Sequence, residues 1–176
     1  MADRLYRSVA KFLDSQGWSF TRLAGSDDLR WMFQGEHGQW PCVARLREAQ
    51  AQLMFYSVFP EAVPQAARVD MATLLTRLNY GLIVGNFELG LDDGALRYKT
   101  SLDVEGQALT QALVRTLVLH NLLTMDEYLP QLQAAMARPE GAAAPASNQR
   151  LISARSSSVI WVALFSGICR VTVAWM

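Results

Sequence analysis

The sequence predicts an α+β fold: one antiparallel sheet with helices packed on one face, in the order α-β-β-β-(β)-α-β-β-α. Three observations predict it. Apolar residues near the start recur with a period of about 3.6, then alternate with a period of two after Gly17. The alternating segments are joined by short turns rich in Gly, Asp and Ser. Two further helical patterns, one in mid-chain and one before residue 138, enclose a last hairpin.

The first helix is expected over Asp3 to Gln16, with Leu5, Val9, Phe12 and Leu13 on one stripe. Asp3 is read as its N-cap and Gly17 as its left-handed terminator. Ser19 to Ala24 reads as a short strand. Leu29, Trp31 and Phe33 share one strand face. Glu36-His37-Gly38 is a hairpin connection to a strand that puts Trp40, Cys42, Ala44 and Leu46 on one face. Leu53, Phe55, Ser57 and Phe59 define the next strand, opposed by Met54, Tyr56 and Val58. Being apolar on both sides, it is expected to be central or covered.

Pro64 opens a second helix, where proline is best tolerated, with Ala67, Met71, Leu74, Leu75 and Leu78 on one stripe and Gly81 at the end. Ile83 to Leu91 and Ala95 to Val104 form a hairpin through Asp92-Asp93-Gly94. Leu109 to about Met136 is helical, with a narrow seam at Val118, Leu122, Met125, Leu129, Leu132 and Met136. Pro130 predicts either a kink or a new helix starting near Thr124 or Asp126, and Thr124 with Glu127 fits a capping box.

Composition narrows the function classes. The chain has 176 residues, 51% hydrophobic and 18% charged, which is too apolar for a disordered protein. Lys+Arg and Asp+Glu both number 16, so the basic surplus of a duplex-DNA binder is missing and no nucleic-acid partner is expected. The two cysteines, Cys42 and Cys169, lie far apart with no metal-ligand spacing. This suits a reducing compartment, and no apolar leader segment precedes the first helix, so a cytoplasmic location is expected.

No catalytic, cofactor or metal motif is visible. The lysines, Lys11 and Lys99, follow no glycine loop, which excludes a phosphate-binding P-loop. His37 falls in a turn and His120 on the last helix, neither with partners at ligand spacing. Cys42 shares a face with Trp40 and Ala44 and reads as a buried thiol. Asp92 and Asp93 precede Gly94, and turn formation accounts for both. The weak binding candidates are Arg45 and Arg47 on one strand and Arg97 and Lys99 on another. If these share a sheet face, they form a basic surface for an acidic peptide or a phosphate. The plainer reading is a solvated face balanced by Glu88 and Asp103.

Several short motifs carry a resemblance. Trp40-Pro41-Cys42-Val43-Ala44-Arg45, Phe55-Tyr56-Ser57, Asn79-Tyr80-Gly81-Leu82, Gly85-Asn86-Phe87-Glu88, Arg97-Tyr98-Lys99-Thr100-Ser101 and Met125-Asp126-Glu127-Tyr128-Leu129-Pro130, in that order, resemble the YbjN-domain family. Its members are described as putative bacterial sensory transduction regulators. The resemblance covers about residues 1–138. It implies a fold like that of type III secretion chaperones, which are small, usually dimeric, non-enzymatic binders of other polypeptides. It transfers no catalytic residue to this chain.

Residues 139–158, rich in Ala, Ser, Gly and Pro, read as a linker, and 159–176 as an apolar tail. Val159 to Cys169 spans ~16 Å as a helix, about half a bilayer core. The tail is therefore a marginal membrane anchor, a docked segment or a poorly ordered end. The expected function is a non-enzymatic protein-interaction module, a homodimeric regulator or chaperone-like adaptor. Its contact surface is expected at Met54, Tyr56 and Val58 or along the Val118–Met136 seam. The alternative is a small-molecule or nucleotide sensor that uses the cationic face as one convergent pocket.

Overall fold

The computed structural model describes residues 3–137. The expected linker and tail lie outside the described residues. Helix α1 spans Arg4–Ser15 and buries Leu5, Val9, Phe12 and Leu13, as the period requires. Its start differs from expectation. Asp3 is left-handed (φ 76°) and its side chain caps nothing. Glu48 takes that role from a distance, its Oε1 accepting from the Tyr6 amide at 2.9 Å. At the other end Gly17 has φ +70°, the left-handed turn that sequence predicts.

The strands are β1 (Thr21–Arg22), β2 (Leu29–Gln34), β3 (Gln39–Arg47), β4 (Gln52–Val58), β5 (Asn86–Leu89) and β6 (Leu96–Asp103). They form one sheet in the order β1-β2-β3-β4-β6-β5 with every pair antiparallel. Two strands are shorter than the alternation suggests. Ser19 to Ala24 contracts to a two-residue pairing because a turn at Leu23–Ser26 takes over. Ile83 to Leu91 contracts because Ile83 and Val84 belong to a loop before β5.

Helix α2 spans Arg68–Gly81, entered through a single 3₁₀ turn at Gln65–Ala67 behind Pro64. Helix α3 spans Gln111–Met136. It is one helix: Pro130 neither breaks it nor starts a new one, and Thr124 and Glu127 lie mid-helix rather than in a capping box. Its N-cap is Thr110, whose side chain accepts from Leu113 N at 3.2 Å. Proline removes one intrahelical bond. Fully buried Met125, Leu129 and Leu132 hold the turns on either side of Pro130 to the core.

All three helices join one core with one face of the sheet. Leu29, Trp31, Trp40, Ala44, Phe55 and Tyr98 supply much of the sheet side. Aromatic rings run through it in contact, from Trp18 to Phe33 (5.3 Å), Phe33 to Trp40 (5.3 Å) and Trp31 to Phe55 (5.1 Å). Buried Asn121 ties α3 to the sheet centre, its Nδ2 donating to Phe55 O (3.0 Å), Tyr98 O (3.2 Å) and Thr100 Oγ1 (3.2 Å).

This packing overturns the contact surface expected along α3 and changes the character of the one expected on β4. Of the α3 seam, Val118 through Leu132 is buried against the chain's own sheet. Tyr56 faces away from the helices yet is only 6% exposed. Arginines cover it: the Arg97 and Arg45 guanidinium carbons lie 4.5 and 5.9 Å from its ring centroid. The second apolar face of β4 is thus roofed by cations, whose aliphatic stems and charge both suit an aromatic ring.

Candidate functional site

The register decides where the candidate cations sit. Val43 pairs with Tyr56 and Tyr56 with Lys99, while Val58 pairs with Arg97 and Arg97 with Glu88. Arg45, Arg47, Arg97 and Lys99 therefore share the sheet face opposite the helices. They do not converge on one pocket. Arg97 Nε donates to Glu88 Oε2 at 2.8 Å, and Lys99 Nζ donates to the other Glu88 oxygen. Arg45 Nε donates to Asp28 Oδ2 at 3.1 Å. Arg47 reaches Gln52 at 3.2 Å, and Gln52 in turn donates to Asp103 at 3.0 Å. Glu88 is the hub. Burial works to raise its carboxyl, but hydrogen bonds from Lys99 and Arg97, and their charges, outweigh that and hold it below the usual carboxylate range. Asp28, which reads in sequence as turn chemistry, is the partner of Arg45 that the sequence does not reveal.

A second surface was not visible in the periodicity. The outward side of α2 carries Val69, Thr73, Thr76 and Tyr80 at spacings of four, three and four, one narrow stripe. Both threonine hydroxyls donate back along the helix, Thr73 to Val69 O at 3.0 Å and Thr76 to Ala72 O at 2.8 Å. Val69 is 74% exposed, Tyr80 94% and Ile83, in the loop beyond, 97%. These residues sit on firm ground. Asn79 Oδ1 accepts from Phe87 N at 2.8 Å and its Nδ2 donates to Phe87 O at 3.0 Å. The Tyr98 hydroxyl donates to Val84 O. The loop that presents Ile83 is thereby pinned at both ends.

The remaining candidates have structural employment. Asp126 on α3 accepts from the Glu36 amide (3.0 Å) and the His37 amide (2.9 Å), latching the β2–β3 hairpin to the helix. Glu36, His37 and Asp126 are also the one group among the described residues with metal-ligand proximity, their ligand atoms lying within 4.8 Å. Both Asp126 oxygens already serve the hairpin amides, so the arrangement is that of a latch. His120 is exposed on α3. Burial pushes the Cys42 thiol up, against hydrogen bonds with Ser57 and Trp40 that favour ionisation, so it stays protonated and inert. Asp93 closes its own turn by accepting from Ala95 N at 2.9 Å. No helix among the described residues is long and apolar enough to cross a membrane.

Comparison with known proteins places this arrangement. The family described as YbjN, Putative bacterial sensory transduction regulator, matches residues 7–134. No curated protein matches the sequence. Among solved structures the chain is similar to the crystal structure of YbjN, a putative transcription regulator from E. coli, with a TM-score of 0.57 and 15% identity over 73% of this chain and 91% of that one. It is also similar to the ExsC-ExsE complex, with a TM-score of 0.53 and 11% identity over 75% of this chain and 96% of that one. The HopA1-SchA chaperone-effector complex gives a TM-score of 0.46 and 14% identity over 76% and 98%. The family match runs from within α1 almost to the end of α3, across every element described above, and on that ground the chain belongs to the YbjN family.

Proposed function

We propose that the protein is a non-enzymatic, cytoplasmic interaction module, a homodimeric regulator or chaperone-like adaptor that binds another polypeptide. The observation that carries this reading is the exposed stripe of α2 with its pinned loop. Large side chains exposed as fully as Tyr80 and Ile83 gain by leaving water, at roughly 25 cal/mol for each Å² buried. An uncharged stripe that carries Val69 and Tyr80 and continues to Ile83, the three most exposed large hydrophobic side chains among the described residues, is the kind of patch that marks a protein contact. The ExsC-ExsE complex is a two-protein assembly that includes this fold, which supports the polypeptide-binding part of the reading. The small-molecule sensor is disfavoured, since the four cations are divided among three partners, Asp28 for Arg45, Gln52 for Arg47 and Glu88 for Arg97 and Lys99.

Light scattering on the full chain across a dilution series tests the reading. The expected mass is twice that of the 19.6 kDa chain, and the double substitution Tyr80→Glu with Ile83→Glu is expected to give a monomer of unchanged helix content. A monomer at every concentration, or a dimer indifferent to both substitutions, would contradict it.

A further inference from the structure

The sheet face turned away from the helices is uncovered among the described residues. It carries Arg30, Arg45, Arg47, Arg97 and Lys99. The carboxylates beside them are fewer: Asp28, Glu88 and Asp103. On a chain with a formal net charge of +0, this face is locally cationic. Its ground is apolar, with Met54 and Val58 half-buried between the charges and Met32 49% exposed.

We infer that this face is a docking surface for an acidic, extended polypeptide segment, whose carboxylates take the place of Glu88 on Arg97 and Lys99 and also engage Arg45. Glu88 shows what such a carboxylate would do, because one carboxylate already bonds both cations. Tyr56 makes the surface rigid, since the guanidinium groups of Arg97 and Arg45 both rest over its ring and lose less freedom on binding. Spacing selects the occupant. Arg45 on β3 and Arg97 on β6 reach Tyr56 from opposite sides of β4, and their guanidinium carbons, 5.9 and 4.5 Å from its ring centroid, lie no more than about 10 Å apart. Carboxylates two residues apart on an extended chain, on one face and about 7 Å from each other, fit within that distance. A single phosphate could replace Glu88 on Arg97 and Lys99 but would leave out Arg45, which Asp28 draws away from them, so engaging all three cations takes a chain with more than one carboxylate. The inference rests on the polypeptide-binding reading but not on self-association.

The test titrates the full chain against a fluorescein-labelled peptide of glutamates interleaved with leucine and serine, read by fluorescence anisotropy. Saturable binding that weakens with added salt is expected. Glu88→Gln should bind the peptide more tightly, because the internal competitor has lost its charge. A gain of this kind cannot arise from misfolding. Arg45→Gln with Arg97→Gln should weaken binding by about tenfold or more, as expected for lost charge-assisted hydrogen bonds. Tyr80→Glu should leave peptide affinity unchanged, so failure of the dimer and failure of this site are read separately. Three results would overturn the inference: equal binding of a peptide with glutamine for glutamate, no change in Glu88→Gln, or pyrophosphate competing as strongly as the acidic peptide.

Discussion

Single residues hold this fold in ways that sequence patterns do not announce. Asn79 bonds both the N–H and the C=O of Phe87, doing for the outer edge of β5 what a neighbouring strand would do. Asn79→Ala should lower stability by about 1–3 kcal/mol in urea unfolding, the cost of leaving backbone groups without partners; an unchanged midpoint would remove this role. Gly85 has φ +79°, and a Cβ there would lie 2.5 Å from Lys99 O and 2.7 Å from the Tyr98 hydroxyl. Gly85→Ala is therefore expected to be among the most damaging single substitutions, and a wild-type melting temperature would show that the loop is looser than described. Buried residues were the legible ones: alternation alone places Trp40, Cys42 and Ala44 inside, and all are fully buried. Asn79, Glu48 and Asp126 were not legible as ties, because each acts on a backbone group of another element.

Elements show where local rules yield to packing. Pro130 and the Thr124–Glu127 spacing both point to a helix boundary, yet α3 runs through, held by the buried residues on its seam. If packing outweighs the proline, Pro130→Ala should stabilise the protein, by at most about 3 kcal/mol, and a loss of stability would mean that the proline ring has a role of its own. The outer face of the sheet gives a pH prediction. The Glu88 carboxyl is lowered in the folded chain, so its contribution is fully present above the unfolded value of about 4.3 and fades as pH falls through the folded value. Acid titration of stability should therefore be shallower in Glu88→Gln than in the parent at low pH. Identical slopes would show that Glu88 titrates alike in both states. The balance of this face by Glu88 was legible, since strand parity puts Glu88 with Arg97 and Lys99. The covering of Tyr56 was not, because a β-strand apolar on both faces suggests a second layer of structure and gives no hint of arginine stems.

At the scale of the whole molecule, the α+β class and the element order follow from the switch between the two hydrophobic periods, and both are present. Strand order is less direct: β6 lies between β4 and β5, so the chain passes through α2 to the sheet edge before filling the gap. That route leaves α2 at the periphery, with Met71, Leu75 and Leu78 buried and Val69 and Tyr80 outward. Periodicity identifies the buried stripe of such a helix and says little about a mixed outer one, so the sequence points to β4 and the α3 seam as contact surfaces and not to α2. The central claim, that the α2 stripe is the surface of self-association, is tested most directly by oxidative footprinting of Tyr80 in the full chain across a dilution series, with Tyr56 as the internal reference. The account predicts that Tyr80 is protected at high concentration and becomes reactive on dilution while Tyr56 stays protected throughout. Reactivity of Tyr80 that is high at every concentration, or protection that dilution does not relieve, would contradict it.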